Sequence, residues 1–277
     1  MPSPSVRLLG STLALSVGLV LALAPVGHTA RASEAPRARC PAEMAFSGGA
    51  CVDRWEARLS KRGSDGSLME FPPYARPTGG TFVAESRAGV RPQAYISRIE
   101  AASACENAGK RLCSVTEWYK ACRGEADTLY PYGAKYVVGR CNVGKPHLLS
   151  ILHGNDPRAW SYDGAFNDPA LDQKPGFLAG TGEYSGCVTG SGVFDLVGNL
   201  HEWVSDRVDP AIIDKLPLTP GIRQRVQRNT GKGVFMGGFF STTNQHGDGC
   251  AFVTMAHEPG YHDYSTGFRC CKDASGG

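Results

Sequence analysis

The 277-residue chain holds 35 Gly, 18 Pro and 10 Cys, with 42% hydrophobic and 20% charged residues. That length fits one large domain or two small ones, and the apolar content is too high for disorder. Lys and Arg number 29 against 26 Asp and Glu, and residues 1–32 hold Arg7 and Arg31 but no acid, so the remainder carries about +1. A near-neutral chain excludes nucleic-acid binding driven by bulk charge, and a single long apolar run excludes a polytopic membrane protein.

That run has the parts of a secretory signal. Arg7 precedes the apolar residues 8–24, Pro25 ends them, and Ala30-Arg31-Ala32 places small residues before a cleavage expected after Ala32. An uncleaved anchor is the alternative, but the run is shorter than the roughly 20 residues that span a bilayer. The expected organisation is a signal peptide over 1–32, a flexible leader over 33–39, one domain over 40–273 and a tail over 274–277. The product would be exported to a periplasm or outside the cell, with no membrane span after cleavage. All ten cysteines lie beyond the signal, an even number that fits an oxidising compartment and a disulfide framework. Zinc is the rival use of cysteine, weakened by the lack of a C-x2-C pair.

Within the domain, Cys40 and Cys51 bracket a glycine turn, and residues 50–55 alternate as a half-buried strand. Residues 58–93, rich in Gly, Pro and Arg, read as an irregular excursion. Ser97 with Glu100 forms a capping box opening a helix whose inner face is Ile99, Ala102 and Cys105, closed by Gly109. Ser114 with Glu117 opens a second helix, in which Trp118, Ala121 and Cys122 recur at helical spacing before Gly124. From there to Gly192 the chain is broken every few residues, so disulfides and bound ions are expected to act as staples.

The densest segment runs from Gly192 to Trp203. Asp195 and Glu202 flank Gly198 and Asn199, a spacing at which a tight turn could aim two carboxylates and intervening carbonyls at one hard cation such as calcium. An ordinary turn with a capping Asp and a solvated Glu is the plain alternative.

Several ordered blocks accompany that segment: Ala108-Gly109-Lys110-Arg111-Leu112, Thr116-Glu117-Trp118, Cys122-Arg123-Gly124, Tyr130-Pro131-Tyr132-Gly133 and Cys141-Asn142. Gly198-Asn199-Leu200-His201-Glu202-Trp203, Gly237-Gly238 and Gly267-Phe268-Arg269-Cys270 follow. Together they resemble the formylglycine-generating enzyme, or sulfatase-modifying factor, family over residues 40–273. The resemblance implies an α+β fold, C-type-lectin-like, disulfide-rich and poor in regular structure. It implies structural calcium held by the Asp195 and Glu202 side chains with Gly198 and Leu200 carbonyls, and a second ion at Asn142 and Val143, for which Asp163 is the candidate carboxylate. It also implies Cys105–Cys270 and Cys122–Cys250 disulfides. Proximity and elimination then give Cys40–Cys51, Cys113–Cys271 and Cys141–Cys187, with Cys270 and Cys271 open to exchange.

The family's oxidase chemistry, which turns a substrate cysteine into an aldehyde, uses two copper-holding thiols after the paired glycines. Here the two counts land on Thr242 and Gln245, and neither hydroxyl nor amide holds copper well, so copper is not expected. His201 stands where the family has an aromatic residue, and Phe239 where it has serine. Two functions remain open. The first is a non-oxidase binding or accessory module, stabilised by calcium and disulfides, that takes a peptide or small molecule in a groove lined by Phe239, Phe240 and Tyr261. The second is a divergent metal-dependent oxidase using His246, His257 and His262; scattered histidines are the bland reading of those three.

Overall fold

Short strands closed by glycine turns build three small sheets in a computed structural model that describes residues 40–216 and 221–275. The expected signal peptide and leader, and the last two residues of the tail, lie outside the described residues, all of which belong to one compact unit. The first sheet joins β1 (Met44–Ser47), β2 (Ala50–Asp53), β11 (Cys270–Lys272) and β6 (Arg111–Leu112) in that order, antiparallel throughout. It therefore brings the two ends of the domain together. β2 is buried along its whole length, not half-buried: β1 and β11 flank it and helix α2 (Val115–Arg123) touches it.

Residues 58–93 are more regular than their composition implies. Strand β3 (Ala57–Arg62) pairs with β4 (Leu68–Glu70) on one side and β5 (Thr81–Ser86) on the other. Leu59, Phe82 and Ala84 face a common apolar cluster, while the glycines and prolines lie mainly between the strands. The third sheet has the order β10 (Thr266–Phe268), β7 (His201–Arg207), β8 (Gly233–Met236), β9 (Val253–Thr254). β10 and β7 run parallel, setting Thr266, Gly267 and Phe268 across from His201, Glu202 and Trp203.

Both capping boxes form. Ser97 and Glu100 bond reciprocally at the start of α1 (Arg98–Asn107), and Ser114 and Glu117 at the start of α2. The buried face of α1 is Ala101, Ala104 and Cys105, and Ile99 is 57% exposed, because small residues let the helix approach β5 while the isoleucine turns outward. α2 buries Val115, Trp118, Ala121 and Cys122. Three more short helices, α3 (Leu148–His153), α4 (Ala170–Gln173) and α5 (Ile222–Arg228), sit in the loop-rich remainder.

Disulfides tie these pieces together: Cys40–Cys51, Cys105–Cys270, Cys113–Cys271, Cys122–Cys250 and Cys141–Cys187. Successive side chains of a strand point to opposite faces, so Cys270 reaches α1 while Cys271 reaches Cys113 beyond β6. In the chain-entropy view, Cys122–Cys250 closes a separation of 128 residues and Cys40–Cys51 one of 11. Those separations correspond to about 5 and about 3 kcal/mol. Replacing Cys122 and Cys250 together by Ala should therefore lower the urea midpoint more than replacing Cys40 and Cys51. Equal losses would contradict that origin.

Candidate functional site

The turn before β7 holds two of the four non-glycine residues at positive φ among the described residues. Asp195 and Asn199 are non-glycine residues at φ 59 and 58, and Gly198 sits at φ 84. A Cβ on Gly198 would lie 2.2 Å from the Asn142 carbonyl, so only glycine passes there. Side chains hold the turn. Asn199 Oδ1 accepts from Asn142 Nδ2 (2.8 Å) and Ala179 N (3.0 Å), and Asp195 Oδ2 accepts from Gly182 N (2.7 Å).

Behind the turn lies a knot of buried charge. Arg269 donates from Nε and Nη2 to the two Glu202 oxygens, each at 2.6 Å, and Trp118 Nε1 donates to Glu202 Oε2 at 2.7 Å. Arg269 also donates to the carbonyls of Asp53 (3.0 Å) and Phe194 (2.8 Å). Glu202 is thus engaged on both oxygens by a guanidinium, so a cation drawing on Glu202 would compete with Arg269. Glu56, a residue the sequence reading passed over, completes the knot by accepting from Asn199 Nδ2 (2.5 Å) and Leu200 N (3.1 Å).

Three carboxylates here face one arginine. Burial first, then the charges of Asp195 and Glu202, push Glu56 well above the usual carboxylate range. Burial raises Asp195 to about 7 against the Gly182 N–H and the Arg269 charge, which favour ionisation.

The other expected ligands separate. Asn142 is buried beside Asn199, and its Oδ1 has no hydrogen-bond partner. Asp163 lies in an exposed turn (Tyr162–Phe166), where its charge acts on His262.

The three candidate histidines have different neighbours. His262 Nδ1 bonds Asn167 Oδ1 at 2.7 Å, His257 stacks on Tyr261 with centroids 3.9 Å apart, and His246 meets Phe252 edge-on at 5.7 Å. Among the described residues no three of His, Cys, Asp and Glu gather closely enough to share a metal ion. His201 is buried among Phe235, Phe239 and Phe252, and burial, with His257 and His246 nearby, holds it well below its ordinary pKa. The ring packs there as an aromatic core group.

In front of the turn opens a cleft of about 360 Å³. Gly237 and Gly238, both at positive φ, lead the chain from β8 into its wall; a Cβ on Gly237 would lie 2.7 Å from the Leu196 carbonyl. Thr242 stands in that wall, its hydroxyl accepting from Phe239 N at 2.7 Å, while Gln245 is exposed in the turn Asn244–His246. All ten cysteines are in disulfides, including Cys250, which follows the cleft residue Gly249 and bonds Cys122. The expected aromatic groove is different: Phe240 is core against Phe177 and Tyr264, Phe239 packs between His201 and Phe240, and Tyr261 stacks on His257. The aromatics of the cleft are Tyr130, Tyr136 and Phe252. The Tyr130-Pro131-Tyr132-Gly133 block was visible as a motif, but nothing local in it tells which cavity it faces.

Residues 52–274 match the sulfatase-modifying factor enzyme 1-like domain. The chain belongs to that family. It is 30% identical over 117 residues to the formylglycine-generating enzymes of Mus musculus and Bos taurus, covering 42% of this chain and 27% of each relative. The chain thus matches about a quarter of the length of those curated relatives. Among solved structures it is similar to the Major Tropism Determinant I1 variant, with 13% identity, TM-score 0.42, and coverage of 86% of this chain and 54% of that one. It is also similar to CarF, at 14% identity and TM-score 0.41, covering 82% of this chain and 87% of that one.

The charge knot of this family member carries a pH signature. Folded, Asp195 keeps its proton up to about pH 7, whereas the unfolded chain loses it near 3.8. The folded state binds the extra proton, so this residue's contribution to stability falls as pH rises across that window. Asp195→Asn, which tolerates the left-handed turn, should flatten the fall in urea midpoint between about pH 5 and about pH 8. A variant with the parent's slope would exclude Asp195 as its source.

Proposed function

We propose that the chain is an exported, disulfide-stapled member of the sulfatase-modifying factor family that binds a ligand in the cleft instead of oxidising one, as a binding or accessory module. One observation carries this reading. The cleft wall after the paired glycines presents the Thr242 hydroxyl, and every cysteine is already committed to a disulfide. Copper needs soft thiolates, and threonine and glutamine are poor substitutes. Export is supported by five disulfides, which persist in oxidising compartments. Among the described residues no helix is long and apolar enough to cross a membrane. The alternative centred on His246, His257 and His262 lacks a convergent set of ligands.

Calcium enters this reading through the carboxylates that Arg269 leaves over. Glu56 and Asp195 are acids beyond the one that the guanidinium engages, and Asn142 Oδ1 is a buried acceptor without a hydrogen-bond partner. Hard oxygens of this kind suit calcium, which would take the place of the protons those acids otherwise retain.

Purified, oxidised protein supplied with copper and a cysteine-containing peptide should yield no aldehyde. Aldehyde that survives removal of contaminants would overturn the non-oxidase reading. Calcium at about a hundredfold its Kd should add about 2.7 kcal/mol, a rise in Tm of roughly 5–10 °C over chelator-treated protein. An unchanged melting curve would remove the ion from the account.

A further inference from the structure

The cleft's lining is specific about the charge it will accept. Tyr130 and Tyr136 set their rings 5.9 Å apart at 49°, and Phe252 closes the apolar side with Val143 and Val197. Tyr130 is backed by Tyr132 at 5.5 Å, so the cage is braced from behind. Asp248 supplies a carboxylate at the rim. It is exposed, and among the described residues no ion pair forms on it.

The backbone presents that carboxylate rigidly. Gly249 takes φ +54, and a Cβ there would lie 2.4 Å from the Leu129 carbonyl and 2.9 Å from the Tyr130 ring, so the Asp248 segment is pressed against the cage in a way glycine alone allows. Cys250 N bonds the Leu129 carbonyl at 2.9 Å, and its sulfur anchors the segment to α2. Burial, and then the Asp248 charge, raise the Tyr130 hydroxyl above its ordinary pKa, so the field of the carboxylate is felt within the cage. Nearby cationic groups are turned away or muted. Lys145 gives its ammonium to the carbonyls of Gly176 (2.5 Å) and Phe177 (2.9 Å), Arg225 donates to the Val253 carbonyl (2.6 Å), and burial, then the Arg225 charge, lowers the His246 pKa.

Aromatic faces carry negative quadrupole charge, and an unpaired carboxylate beside them adds a full charge of the same sign. We propose that the cleft takes an organic cation, the ammonium or guanidinium end of a basic side chain, with its alkyl stem against Tyr130 and Phe252 and its charge between Tyr136 and Asp248. This rests on the reading of the cleft as the binding site and adds the class of ligand.

N-acetyl-lysine methylamide, the matching norleucine derivative and the matching glutamate derivative distinguish the possibilities when titrated into the full oxidised chain and followed by NMR. The lysine derivative should bind about three- to thirty-fold more tightly than norleucine, the sum of a cation–π contact and an exposed ion pair. Asp248→Asn should remove the ion-pair share of that preference, and Tyr136→Leu, at an exposed position, part of the cation–π share. Norleucine binding as tightly as lysine and indifferent to Asp248→Asn would overturn the cation inference while leaving the cleft as a binding site. Glutamate binding most tightly would also overturn it. If none of the three moves the cleft resonances at millimolar concentration, the cation inference and the reading of the cleft fall together.

Discussion

Arg269 and Glu202 meet where neither reaches water, and stripping two charges of solvent is so costly that such a pair survives only when nearly every donor and acceptor is satisfied. Here they are: two bonds join the pair, Trp118 caps the carboxylate, and the Asp53 and Phe194 carbonyls take further guanidinium protons. The pair therefore says more about specificity than about net stability. Arg269 stands between β10 and β11, Glu202 lies in β7, and Trp118 comes from α2. Three segments distant in sequence must be in register before the charges are neutralised, and a slip by one residue would turn Glu202 to the other face.

That same knot holds the cleft in shape. Asn199 bonds Glu56 with its side chain, and its carbonyl accepts from Phe240 N; Gly198 N bonds the Gly237 carbonyl. These bonds run from the charge knot through the turn to the chain that follows β8, so the knot and the cleft wall share one frame.

What could be read along the sequence follows the range of each interaction. Capping boxes act within four residues, so Ser97 with Glu100 and Ser114 with Glu117 announce their helices. The β3–β4–β5 sheet was hidden because its strands are short and separated by Gly- and Pro-rich turns, and their pairing emerges only when Leu59 and Phe82 share a core. Sequence periodicity put Ile99 inward, yet small alanines pack closer to β5. The spacing of Asp195 and Glu202 correctly flags a special turn but is silent on Arg269, some 67 residues further on, which claims the glutamate. Glu56 lies 143 residues from Asn199 and carries no local mark.

Size alone would point away from the cleft. A wider groove of about 970 Å³ lies on the other side of the Tyr130–Tyr132 segment, with Lys120, Arg123 and Arg140 along it. Two of those cations are already occupied. Arg123 pairs with Asp127 and lies over Tyr119, while Arg140 donates to the Gly186 carbonyl and stacks on Tyr132. An anion entering the groove would have to compete with these contacts, so the groove offers less net attraction than its residue content implies. In the smaller cleft the order is reversed: among the described residues a cation arriving at Asp248 breaks no ion pair. Recognition depends on what a site leaves unpaired more than on how much surface it exposes, and by that measure the acidic aromatic cleft is the better prepared of the two.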